Sequence, residues 1–238
     1  MGSSLNGLAA LYLAQGRYAE AEPLFKRSLA IRETALGVEH PHVGSSLNGL
    51  AAIYLAQGRH AEAEPLFKRS LAIAEKALGA DHPDTGTSLN NLAGLYAAQG
   101  RYAEAEPLYQ RSLALRETAP GLNNLAELYR QQGRYADAEP LYNRALAIYE
   151  KALGPAHPEV GTTLNNLAAL YRAQGHYAEA ELLYKRALSL REKALGLDHP
   201  EVVATINNLA ELYRQQGRYG EAEPLYKRTR AVTKGRRP

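Results

Sequence analysis

The chain contains no cysteine, so disulfides, thiolate metal sites and cysteine nucleophiles are excluded together. It has no apolar run approaching the about 20 residues that a membrane helix needs, and its first residues lack the basic start and apolar core of a signal peptide. These absences lead to the expectation of a soluble, cytoplasmic protein. A phosphate-binding glycine loop, a nucleophile elbow and a His-Glu-x-x-His helix are missing as well, which argues against an enzyme and against a bound cofactor. The charge is unevenly placed along the chain. The last twelve residues carry six of the 28 bases (Lys227, Arg228, Arg230, Lys234, Arg236 and Arg237) and no acid. Without them 22 bases face 25 acids, so the body is mildly acidic and the pI near 9.0 belongs to a tail. Nucleic acid is therefore not the expected partner.

What the chain does have is repetition. Leu-Asn-x-Leu-Ala-x-Leu/Ile-Tyr recurs from Leu5, Leu47, Leu89, Leu122 and Leu164, and Ile-Asn-Asn-Leu-Ala from Ile206. Each block leads through Gln-Gly into a version of Arg-Tyr-Ala-Glu-Ala-Glu-Pro-Leu-Tyr-Lys-Arg-Ala-Leu, and the 42-residue units close on Leu-Gly-x-x-His-Pro. Leu164, Leu167, Ala168 and Tyr171 form one helical stripe, and Tyr177, Ala180, Tyr184, Ala187 and Leu188 a second. Gly175 supplies the tight turn between them, and Pro158 opens a helix at the position where its missing N–H costs nothing. A lone pair of such helices cannot bury its stripes. Small Ala168 and Ala180 let backbones approach, Tyr171 and Tyr184 reach into the neighbouring repeat, and stability comes from stacking. All aromatic residues except Tyr149 lie in three repeating columns, which reads as core packing.

The small/aromatic spacing resembles the tetratricopeptide (TPR) repeat, and the 42-residue unit with Leu-Gly-x-x-His-Pro resembles its kinesin-light-chain type. The resemblance covers essentially the whole chain. It implies an all-α fold, a right-handed superhelical solenoid of six antiparallel helix-pair repeats at about 1–40, 41–82, 83–119, 120–157, 158–199 and 200–234, followed by a basic tail at 235–238. It also implies a concave groove lined by the first helices.

Three departures interrupt the pattern. Nine residues are missing between the third and fourth repeats, where Arg-Glu-Thr-Ala runs into Pro120-Gly121, so the fourth repeat's first helix should lose its opening turn. Arg230 stands in the column of Leu29, Leu71, Leu113, Leu146 and Leu188, as expected of a face that meets water. Gly2-Ser3-Ser4 duplicates Gly44-Ser45-Ser46, so the chain begins inside a first helix; a fragment of a longer array, or an end that stacks on another molecule, is the expectation.

On a helical wheel, the face of each first helix opposite its core stripe carries the residues 1, 2, 5, 8 and 9 positions after the leading Leu or Ile. Asparagine costs about 0.5 kcal/mol against alanine inside a helix, yet it fills ten of the twelve positions in the first two of these columns. The candidate peptide-binding residues are Asn90, Asn91, Asn123, Asn124, Asn165, Asn166, Asn207 and Asn208, each able to offer a donor and an acceptor to an extended backbone. The alternative for the first column is a bond to the neighbouring helix. Arg130, Arg172 and Arg214 complete the set. Arg130 and Arg214 have Glu127 and Glu211 one turn earlier for pairing; Arg172 faces Ala169 and suits a ligand carboxylate.

The recurring His40, His82, His157 and His199 lack companion ligands at zinc-like spacing, so no metal is expected. The Glu-x-Glu pairs, such as Glu20 and Glu22, read as a solvated helix face rather than acid–base machinery. The function expected is a non-catalytic scaffold for a protein or extended peptide with acidic and hydrophobic residues. The alternatives are a structural or sensor segment of a larger bacterial signalling protein, or a self-stacking array, engineered or natural, that associates end to end through its uncapped first repeat.

Overall fold

A computed structural model describes residues 2–235, without the side chains of Ala231 and residues 233–235. Residues 236–238 of the basic tail lie outside the described residues. Two compact units divide the chain, at residues 1–117 and 118–238, and the division falls at the shortened junction.

In the first unit, α1 (Gly2–Ala14) pairs with α2 (Tyr18–Leu36), α3 (Pro41–Ala56) with α4 (His60–Leu78), and α5 (Pro83–Ala98) with α6 (Tyr102–Leu115). In the second, α7 (Ala119–Gln131) pairs with α8 (Tyr135–Leu153), α9 (Pro158–Ala173) with α10 (Tyr177–Leu195), and α11 (Pro200–Gln215) with α12 (Tyr219–Gly235). Each second helix also packs on the next first helix of its unit. Within each unit the backbones of consecutive first helices approach closely, whereas among the described residues consecutive second helices meet through long side chains such as Arg69 and Glu33, 2.6 Å apart. Each unit therefore closes up on its first-helix side.

Local chemistry explains the boundaries. Gly175 and its equivalents turn the chain between paired helices at positive φ (81° at Gly175), where a side chain would be strained. The prolines at Pro41, Pro83, Pro158 and Pro200 open first helices, and the preceding histidine is the cap. The Nδ1 of His40, His82, His157 and His199 accepts the backbone N–H two residues on, at 3.1–3.3 Å. This is the work an N-cap Ser or Asp usually does. Second helices run unbroken through Pro23, Pro65, Pro107, Pro140 and Pro224, because a proline at the sixth helical residue removes only one ladder bond.

The nine-residue deletion is shared out. α6 has 14 residues against 19 in α4, α7 has 13 against 16 in α5, and the connection loses one. The expected loss of an opening turn from α7 is thus real, and α6 is cut back more. Thr118 replaces histidine as cap, its Oγ1 accepting from the Gly121 N–H at 3.2 Å.

The Glu-x-Glu pairs are not simply a solvated face. Glu22, Glu64 and Glu181 are half-buried and accept from the arginine that opens the next second helix: Arg59 at 3.1 Å, Arg101 at 2.9 Å and Arg218 at 2.6 Å. That arginine stacks on the tyrosine closing its own first helix (Arg59 over Tyr54, 4.0 Å; Arg218 over Tyr213, 4.2 Å), and the tyrosine hydroxyl returns to the same glutamate. Sequence spacing placed these carboxylates correctly; stacking of repeats half-buries the second of each pair except in the last repeat, where both Glu221 and Glu223 are exposed.

The Arg218 guanidinium, with Lys185 and Tyr213, holds the Glu181 carboxyl at about 2, below its ordinary 4.5. Its contribution to stability is therefore complete above pH 4.5 and is lost as pH falls toward 2. Thermal melts across that window should fall less steeply for Glu181→Gln than for the wild type; parallel curves would exclude the network as an acid-sensitive contact.

Candidate functional site

The face opposite the core stripe of each first helix carries two classes of residue: those used to join repeats, and those that are not. The first asparagine column belongs largely to the joints. Ser46 Oγ donates to Asn6 Oδ1 at 3.0 Å, Asn48 Nδ2 to Ser88 Oγ at 3.3 Å, and Asn123 Nδ2 to Thr163 Oγ1 at 2.8 Å. In each case the partner hydroxyl immediately precedes the next repeat's leading leucine. Asn123 is only 8% exposed. In the fifth repeat the pattern shifts, because Thr205 is taken by Arg191; Asn165 Oδ1 instead accepts from Asn208 Nδ2 at 3.1 Å. Asn90 is half-buried and Asn207 exposed.

The second column sits differently. Asn91, Asn124, Asn166 and Asn208 are all half-buried, and neither Asn91 nor Asn166 has a side-chain hydrogen bond among the described residues. In the second repeat this column holds Gly49, where a Cβ would stand 2.2 Å from the Phe25 ring. Glycine there is a packing requirement of the bulky ring beneath.

Three further columns meet in the second unit. Glu127 accepts from Arg130 Nε at 2.8 Å and Nη2 at 2.6 Å, from Gln131 at 2.8 Å, and from the Tyr142 hydroxyl at 2.9 Å. Burial would raise this carboxyl, but the Arg130 guanidinium, with Gln131 and Tyr142, holds it below its ordinary value. Glu211 repeats the arrangement with Arg214, Gln215 and Tyr226, and the Arg214 guanidinium lowers it to about 2. Both arginines are thus paired within their own helices, as their spacing suggests.

The fifth repeat keeps the arginine and the tyrosine and lacks the carboxylate. Ala169 stands where Glu127 and Glu211 stand. Among the described residues Arg172 has no ion pair, and the Tyr184 hydroxyl, on a residue 0% exposed, has no hydrogen-bond partner. Burial raises the Tyr184 phenol, opposed by the positive charges of Arg172 and Arg130. The Arg172–Ala169 contrast is legible in the sequence. The tyrosine is not, because it reads as one more core aromatic.

The tetratricopeptide repeat family profile matches residues 1–76, 43–118, 117–193 and 183–234. The chain belongs to the tetratricopeptide repeat family. Among solved structures, this TPR chain is similar to BtubC (BKLC) from P. vanneervenii, at 23% identity over 100% of this chain and 94% of that one, with a TM-score of 0.71. It is similar to Cut9–Hcn1, an APC/C hetero-tetramer, at 19% identity over 98% of this chain and 40% of that one, with a TM-score of 0.77. The nearly identical TPR-like repeats of a Podosopora anserina chain classed with kinesin light chains are 29% identical over 99% of this chain and 97% of that one, with a TM-score of 0.44. A search among curated proteins found no match. No helix among the described residues is long and apolar enough to cross a membrane.

The two tyrosines should respond oppositely to loss of their hydroxyls. Tyr142→Phe removes a bond to a carboxylate and should cost about 1–2 kcal/mol, whereas Tyr184→Phe deletes a buried, unpartnered hydroxyl and should be neutral or stabilising. Urea unfolding of both variants checks this, and equal losses would rule the difference out.

Proposed function

We propose that this TPR chain is a non-catalytic scaffold in the cytoplasm that holds a protein partner through an extended peptide laid along its first helices. TPR repeats typically mediate protein–protein interaction, which sets the class. The observation that carries the finer reading is the fifth repeat: Arg172 and the buried Tyr184 hydroxyl occupy the repeat positions of Arg130 with Tyr142 and Arg214 with Tyr226, without the carboxylate that Glu127 and Glu211 supply there. A peptide aspartate or glutamate brings that carboxylate, Arg172 grips it as a bidentate fork, and the amide of Asn166, earlier on the same helix, serves the peptide backbone. In the first three repeats the same face offers Ala10 and Leu13, Ala52 and Leu55, then Gly94 and Ala97, and suits hydrophobic peptide residues.

Random-peptide display on the wild-type chain should enrich a short motif containing an acidic residue. Arg172→Ala combined with Asn166→Ala should lose it, and Ala169→Glu, which rebuilds the internal carboxylate, should exclude it while raising thermal stability. Enrichment of one motif by all three chains, or of none by the wild type, sinks this reading.

A second reading rests on α1. Leu8 is 41% and Leu11 53% exposed, whereas their counterparts Leu50 and Ile53 are buried at 4% and 0%. Such an apolar face favours end-to-end association of two copies. Light scattering over a concentration range should show mass rising with concentration for the wild type and not for Leu8→Glu/Leu11→Glu; a constant wild-type mass removes this reading.

A further inference from the structure

A different column, near the end of each second helix, holds two buried arginines. Arg32 is 7% exposed, and its Nη1 donates to the His42 carbonyl at 2.7 Å, to Ser46 Oγ at 2.9 Å and to Asn6 Oδ1 at 3.2 Å. Arg191, 4% exposed, occupies the same repeat position in the second unit. Its Nη1 donates to Thr205 Oγ1 at 2.6 Å and to the Glu201 carbonyl at 3.2 Å, and its Nη2 lies 3.2 Å from the Glu201 carboxylate. Glycine makes the room: a Cβ on Gly2 would stand 3.2 Å from Arg32 Cγ, and one on Gly161 3.1 Å from Arg191 Cγ. Each guanidinium thus lies under the first turn of the next first helix, held by a backbone carbonyl and a hydroxyl at fixed repeat positions.

The second repeat keeps the receiving groups without the guanidinium. Ala74 stands 42 residues after Arg32, and Asp84, Ser88 and Asn48 stand 42 residues after His42, Ser46 and Asn6. Gly44 repeats Gly2. The result is a cavity of about 340 Å³ bordered by Asn48, Asp84 and Ser88, with Ile73, Ala74 and Leu78 as its apolar wall. Asn48 responds to the change. Asn6 presents its Oδ1 to both Ser46 and Arg32, whereas Asn48 turns its Nδ2 to Ser88 and leaves its Oδ1 buried without a partner among the described residues. In the second unit the same column holds Tyr149, 8% exposed, so its ring fills that position instead.

We propose that this cavity between the second and third repeats is a socket for an alkylguanidinium group, filled by an arginine side chain of a protein partner. The planar fork meets the Asp84 carbonyl and Ser88 Oγ, and rotation of the Asn48 amide gives its orphaned Oδ1 a donor. The arginine methylenes lie against Ile73 and Leu78. The exposed Asp84 carboxylate supplies the counter-charge, as Glu201 does for Arg191. A lysine ammonium, a single point charge, cannot span these divergent acceptors. The socket lies in the first unit and takes a cation, so it stands or falls separately from the carboxylate reading of the fifth repeat.

Titration of the full chain with ethylguanidinium, followed by amide NMR, tests the socket directly, with ethylammonium as the control. Saturable shifts should be confined to the Asn48 side-chain amide and the first turn of α5, and ethylammonium should not reproduce them. Ala74→Arg should abolish the shifts and raise the melting temperature, because it installs the internal arginine of the first repeat. Asp84→Asn, at an exposed position, should weaken binding by a factor of about two to five, and it carries the test if Ala74→Arg does not fold. Linear shifts, equal shifts with ethylammonium, or shifts unchanged in both variants overturn the proposal. Two further probes separate the sources of the group. N-acetyl-arginine-methylamide should bind more tightly than agmatine; the reverse order would assign the socket to a small free guanidinium compound and overturn the protein partner.

Discussion

The close approach of helices through alanine is the constraint on which everything else in this protein depends. Ala9, Ala51, Ala93, Ala126, Ala168 and Ala210 are all 0% exposed on the first helices, and Ala21, Ala63, Ala105, Ala138 and Ala180 are 0% exposed on the second. A larger side chain at any of them would push a helix pair apart, and overpacking of this kind costs about 1–3 kcal/mol. With the backbones that near, short polar side chains such as Asn48 and Ser88 can bridge repeats, and a half-buried glutamate can reach an arginine in the next repeat. A wider stack would leave those groups to water.

Near-identity among repeats turns single substitutions into local experiments. Where one repeat departs from its neighbours, the groups that lost a partner remain in place and show what is missing. Glu127 and Glu211 define the charge absent beside Arg172 and Tyr184; Arg32 and Arg191 define the group absent above Ala74. The two sites are opposite in sign and lie in different units.

The structure also separates positions that sequence alone cannot rank. All ten asparagines of the two columns look equivalent along the chain. In the fold, Asn123 is committed to Thr163 and Asn48 to Ser88, while Asn91 and Asn166 have no side-chain hydrogen bond among the described residues. The candidate peptide-facing set therefore centres on the second column and on Arg172. Histidine before proline follows the same lesson: its regular spacing tempts a metal reading, yet in each 42-residue unit the ring caps a helix.

By itself the sequence determined the helix pairs, their turns, the aromatic and alanine columns and the place of the shortened junction. These depend on residues no more than a few turns apart, and the helical period exposes them directly. Only the tertiary structure decided which asparagine is a strut, which glutamate is buried, that Tyr184 lacks a partner and that a cavity opens over Ala74. Those outcomes depend on side chains from helices packed against one another, often some 26–43 residues apart in the chain, and no periodicity within one helix carries that information.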